Sequence, residues 1–161
     1  MPVPQTGKLV TLTFDVVVIA IGDSFRFSVF RSWQVMAFQS FEDLKVWQRG
    51  KQLAVEVYRA MNKSRDFGLK DQMQRAAISI ASNIAESHER TPKDFARFLS
   101  IAIGSSSELR TQAYIAKDLG ILPVDPADRI IDETKQLNRM MRSLAKAVTN
   151  PNSENLSLIH I

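Results

Sequence analysis

The sequence predicts an all-α protein, an antiparallel up-and-down four-helix bundle. Three observations carry that prediction. Apolar residues recur at three- and four-residue spacing through most of positions 41–148. Start signals in which a capping residue precedes a proline stand at Thr91-Pro92 and Asp125-Pro126. The periodic stretches are joined by short polar connectors, which make successive helices antiparallel neighbours. With 161 residues the chain is long enough for one domain with a sizeable core.

Residues 1–35 do not share this pattern. Leu9 to Ile21 is rich in Val, Ile, Leu, Thr and Phe, which favours strand over helix. Its longest uncharged apolar run, Val16 to Ile21, falls far short of the roughly 20 residues that span a bilayer. A signal peptide fits poorly, because Asp15 interrupts the apolar segment and no small-residue cleavage site follows. Met36 stands four residues before a helix start signal. It is read as the natural start, with residues 1–35 a poorly ordered appended segment. A β-hairpin turning at Gly22-Asp23 is the rival reading.

The bundle is expected over residues 36–150. A first helix is predicted from about Phe41 to Asn62, capped by Ser40, with Glu42 and Asp43 opposing the helix dipole. Leu44, Trp47, Ala54, Val57, Tyr58 and Met61 form its expected inward stripe. Ser64 to Gly68 reads as a turn.

The second helix, about Leu69 to Ser87, is the expected centre of the fold. Leu69, Met73, Ala76, Ala77, Ile80 and Ile84 trace one buried face. Its shoulders, Ala76, Ala77, Ala81, Ser82 and Ala85, are small enough to admit other helices, a second subunit included.

In the third helix Thr91 caps, Pro92 fills the first position and Asp94 can reach the free amides. Phe95, Phe98, Leu99, Ala102, Ser106, Leu109, Ala113 and Ala116 are its expected buried residues, and Gly120 its left-handed C-cap. A fourth helix starts after Asp125-Pro126, buries Ile130, Thr134, Leu137, Met141, Leu144 and Val148, and stops at Asn150-Pro151-Asn152. Residues 151–161 read as a disordered, artefactual tail.

Composition narrows the chemistry. With no cysteine, a disulfide framework and a thiolate site are both ruled out, and a cytoplasmic setting is compatible. There are two histidines, one of them in the tail at His160. Glu86 and His88 are two apart and so face different ways, and no Glu-x-x-His pair of the di-iron bundles occurs. Zinc-protease, phosphate-loop and nucleophile-elbow motifs are likewise missing. No metal site, cofactor or catalytic residue is expected, and His88 reads as an exposed helix-end residue.

Two polar patterns are candidate sites. Gln72, Arg75, Ser79, Asn83 and Glu86 form one stripe on the second helix, and Ser105 and Glu108 offer partners on the third. This is either a hydrogen-bonded seam between helices or subunits, with Arg75 or Arg110 pairing Glu86 or Glu108, or a ligand or RNA-contact groove. On the fourth helix Lys135, Arg139, Arg142 and Lys146 follow four-three-four spacing, a cationic stripe about 16 Å long. Lys45, Arg49 and Lys51 add a smaller cluster on the first helix. With a formal net charge of +4, these seven basic positions admit a nucleic-acid partner contacted through phosphates, or simply solvated helix faces. No aromatic interleaves with the fourth-helix charges, so base stacking is not indicated.

Longer motifs narrow the choice. Gln72-x-x-Arg75-Ala76-Ala77-x-Ser79-Ile80-x-x-Asn83-Ile84-Ala85-Glu86, then Phe95-x-x-Phe98-Leu99-x-x-Ala102-x-Gly104-Ser105-x-x-Glu108-Leu109, resembles the 23S rRNA intervening-sequence protein family. That four-helix bundle family includes the accessory variability determinant of diversity-generating retroelements. Phe41-Glu42-Asp43-Leu44-x-Val46-Trp47 and the Leu119-Gly120-Ile121-Leu122 turn match as well, so the resemblance spans about Phe38 to Val148. One departure is Ser87, where the family usually has glycine.

The resemblance implies a bacterial homopentamer of four-helix protomers with no known catalysis. RNA, or an adjacent reverse transcriptase, is the implied partner, and nucleic-acid binding through a basic surface the implied role. A protein-interaction scaffold with no nucleic-acid role is the alternative.

Overall fold

The computed structural model describes residues 40–88 and 90–149. The segment 1–35, the Met36 start, the Gly22-Asp23 hairpin, the Asn150-Pro151-Asn152 stop and the tail lie outside the described residues. The described residues hold four α-helices and no strand: α1 (Lys45–Ala60), α2 (Phe67–Ser87), α3 (Pro92–Asp118) and α4 (Val124–Thr149). Each packs on its chain neighbour, α1 closes on α4, and the diagonal pairs make no close backbone approach. That is the four-cornered, up-and-down arrangement expected of amphipathic helices on short loops.

The entry differs from expectation. Ser40 caps a 3-10 turn, Phe41–Asp43, rather than the α-helix itself. Leu44 then goes extended (φ −69°, ψ 114°) with its side chain buried, and α1 begins one residue later. The break resets the helical phase. The buried line of α1 is Val46, Gly50, Leu53 and Val57, continued by Met61, while Trp47 and Ala54 are half-buried and Tyr58 is 44% exposed. Phe41 and Trp47 meet edge to face, 5.1 Å between ring centroids, and close this end of the bundle.

α2 starts two residues before its expected position because Asp66 is its cap, accepting from the Leu69 N–H at 2.9 Å. Gly68 therefore lies within the helix, not in a turn. Met73, Ala77, Ile80 and Ile84 have no exposed surface, so both isoleucines of the central segment are covered by protein. Gly50 supplies part of the cover: a Cβ there would stand 3.5 Å from Ile80 Cγ2 and 3.8 Å from the Ala81 Cα. The small shoulder at Ala81 is thus where α1 approaches α2. Ser87 is fully buried and donates to the Ile84 carbonyl at 2.6 Å, finishing the helix from within.

α3 begins as read. Thr91 accepts from the Asp94 N–H and donates to the Asp94 carboxylate, with Pro92 at the first position. Of its expected stripe, all but half-buried Phe98 are buried, and Gln112 joins them. At its end Gly120 takes φ +67°, and the Ile121 N–H bonds back to the Ala116 carbonyl at 2.9 Å, the pattern of a left-handed glycine cap.

α4 starts at Val124, earlier than expected, with Pro126 in the first turn where a missing N–H costs nothing. Ile130, Thr134, Leu137, Met141 and Leu144 are buried as read, together with Ala127, Ile131, Asn138 and Ala147, while Val148 is half-buried. Among the described residues no helix is long and apolar enough to cross a membrane.

Candidate nucleic-acid interface

The four cations of α4 share one outward line, but their surroundings differ. Lys135 donates to Asp132 at 3.0 Å, and that hydrogen bond holds its ammonium above the usual lysine range. Arg139, Arg142 and Lys146 are exposed and have no carboxylate partner among the described residues. Upstream, the same three-and-four spacing carries Asp125, Asp128 and Asp132. The line therefore changes sign at Lys135, and its anion-attracting part is the C-terminal half of the helix. A helix C-terminus also tolerates cations well, since they face the negative end of its dipole.

The first-helix cluster does not form one surface with that line. Arg49 turns to α4 and donates from Nε to Glu133 Oε1 at 2.7 Å and from Nη2 to Glu133 Oε2 at 2.6 Å, with a further bond to Gln136. The pairing raises its already high pKa and leaves little of its donor capacity for a phosphate. Arg49 is a clamp between helices. Lys51 lies over the Trp47 ring, 4.9 Å from its centroid, and Lys45 is exposed. A groove of about 620 Å³ runs between α1 and α4, but Glu56, Asp125, Asp128, Asp132 and Glu133 line it. Its arginines, Arg49 and Arg129, are both engaged by carboxylates, so the groove is unsuited to an anion.

The polar stripe divides in two. Ser79 and Ser105 meet across α2 and α3, hydroxyl to hydroxyl at 2.8 Å, and the Asn83 amide donates to the Ser79 carbonyl at 2.7 Å. These three are half-buried and form a short seam. Gln72, Arg75, Glu86 and Glu108 are exposed and lie outside it. The expected cross-helix pairs do not form. Arg75 approaches Asp71 at 3.8 Å, Glu86 pairs with Arg90, and Glu108 accepts from Gln112 at 3.1 Å. Partners one helical turn away are simply nearer than those on the next helix. His88 is half-buried at the α2 end. Among the described residues no atom lies within 4 Å of where the Gly104 Cβ would be, so none of them uses the close approach it offers.

One feature of the α4 line comes from another helix. Arg110 and Tyr114 of α3 stand one turn apart between Ser107 and Lys117, the residues that bond to Asn138 and Asp128 of α4, so the register brings them to the α4 side near Lys135. Arg110 has no ion pair among the described residues, and Tyr114 is 44% exposed. Reading along α4 alone misses both, because adjacency across helices depends on register.

No curated protein matches the chain. A solved structure from Bacteroides thetaiotaomicron VPI-5482, described as a protein with unknown function from the S23 ribosomal protein family, has a similar fold. Its TM-score is 0.60 at 21% identity, over 63% of this chain and 98% of that one. The model of the 23S rRNA-intervening sequence proteins matches residues 42–143, from the first turn to the middle of the cationic line. That span is most of the four-helix unit and more than half of the chain, which therefore belongs to the 23S rRNA-intervening sequence protein family.

Proposed function

We propose that this protein is a non-catalytic, homo-oligomeric helical bundle that binds structured RNA through phosphate contacts along the C-terminal half of α4. The observation that carries this reading is the exposed run of Arg139, Arg142 and Lys146, which has no carboxylate partner among the described residues. Three other cations at the α4 corners are matched: Arg49 with Glu133, Arg129 with Glu56, and Lys117 of α3 with Asp128. A run of unmatched charge along one helix is what a polyanion would neutralise, with release of its counterions. Membership in a family named for sequences intervening in 23S rRNA supports RNA as that polyanion.

Self-assembly is supported by a second surface. Ile78 on α2 and Ile101, Ile115 and Leu119 on α3 are each at least 43% exposed, and Gly104 lies open among them. A homopentamer in the cytoplasm is the form we propose. The same apolar residues favour the second reading, a scaffold for a different protein, a reverse transcriptase among the candidates. Retention of a labelled RNA hairpin on filters at low salt, lost when Lys135, Arg139 and Arg142 are changed to glutamate, is the expected result. No retention by the wild type, with a protein partner captured after nuclease treatment, favours the scaffold instead.

A further inference from the structure

Phosphate contacts alone read only the backbone of a strand, yet the α4 line has an aromatic side chain at its inner end. Tyr114 is 44% exposed on α3, one turn beyond Arg110 and so on the same side of the helix. The register of α3 against α4 is pinned on both sides of it. Asn138 donates to Ser107 at 3.3 Å, and Lys117 donates to Asp128 at 2.6 Å. Between those crossing points Tyr114 falls level with the stretch of α4 just before Lys135. Lys117 and Lys135 are already matched by Asp128 and Asp132, so the cation of that side without an ion pair among the described residues is Arg110.

An exposed ring one turn from Arg110, which has no ion pair among the described residues, suits a nucleobase. Every base has a π face, so stacking on tyrosine is sequence-tolerant, while a neighbouring cation holds the adjoining phosphate. A base inside a duplex has no free face to offer, whereas the bases of a loop or bulge do.

We propose, on the basis of the phosphate-track reading, that Tyr114 stacks on an unpaired base of the bound RNA, with Arg110 placing the neighbouring phosphate. The chain then prefers looped RNA over a blunt duplex of equal charge, which phosphate contacts alone do not require.

The test is a fluorescence-anisotropy titration of the full chain at one low salt concentration with two labelled RNAs of equal phosphate number. One is a hairpin with a pyrimidine loop, the other a blunt duplex. The wild type is expected to bind the hairpin more tightly. Tyr114→Ala is expected to weaken hairpin binding at least about fivefold and leave duplex binding unchanged, while Tyr114→Phe, which keeps the ring, binds as the wild type does. Equal loss on both RNAs, as disturbed packing or assembly would produce, overturns the proposal. So does hairpin binding that Tyr114→Ala leaves intact. If the wild type binds neither RNA, the phosphate track itself is wrong; failure of the Tyr114 arm alone leaves the track standing.

Discussion

The Arg49 guanidinium of α1 grips the Glu133 carboxylate of α4 through two parallel hydrogen bonds, 2.7 and 2.6 Å, across 84 positions of sequence. α1 and α4 are the ends of the bundle in chain order, so this pair closes the ring of helices. Both side chains are partly exposed, 36% and 23%, and water screens the pair. A double-mutant cycle over Arg49→Ala and Glu133→Ala is expected to give a coupling of about 1 kcal/mol in urea unfolding. RNA affinity is expected to be unchanged in Arg49→Ala, because its donors already face protein. A drop as large as that of Arg139→Glu would return Arg49 to the binding surface.

Gly50 tests how α1 meets α2. Its absent Cβ would make ordinary contact with Ile80 at 3.5 Å and Ile84 at 3.6 Å, with no overlap. Gly50→Ala is therefore expected to stabilise the fold by about 0.5–1 kcal/mol, through helix propensity and a less flexible unfolded chain. Gly50→Leu is expected to cost about 1–3 kcal/mol, because its further carbons would enter the space of both isoleucines. Chemical denaturation of the two variants measures both. A destabilised alanine variant would show that the helices lie closer than described.

Gly104 answers the question of assembly. It lies in the middle of α3 with open space around it. In an isolated protomer Gly104→Ala is expected to raise stability by about 1 kcal/mol, as at any exposed helical position. In the proposed oligomer the same methyl group, and more so that of Gly104→Val, is expected to lower the assembled mass seen by light scattering. A wild-type monomer at micromolar concentration would contradict the oligomer.

Alkaline pH probes the α3–α4 corner. Lys117 donates to Asp128 at 2.6 Å, and this bond holds the ammonium above the usual lysine range. A raised pKa in the folded state means that the stabilisation is complete below the ordinary lysine value and is lost as pH rises through the folded one. Thermal melts from about pH 8 to pH 11 are expected to show a steeper fall in Tm for the wild type than for Lys117→Met above about pH 10. Parallel curves would mean that the pair contributes nothing.

Helix ends with local chemistry were legible in the sequence. Thr91-Pro92 and Gly120 need only their near neighbours to act, and both act as read. The buried faces of α2, α3 and α4 were legible because their periodicity is unbroken. The face of α1 was misread at Tyr58, since counting from Leu44 carries the helical rhythm across an extended residue that lies outside the helix. Asp66 was passed over as a cap because Gly68 looked like a turn. The candidate site was legible only along α4. Arg49 belongs to Glu133, and Tyr114 comes to the α4 side of α3, through helix packing that no single-stretch pattern encodes.

The slope of log Kd against log salt concentration, measured for a structured RNA, tests the α4 phosphate track most directly. The wild type is expected to show a steep dependence, and Arg139→Glu/Arg142→Glu a slope smaller by about two units per bound protomer together with weaker binding. An unchanged slope in that variant, or no wild-type binding at the lowest salt, would contradict the track.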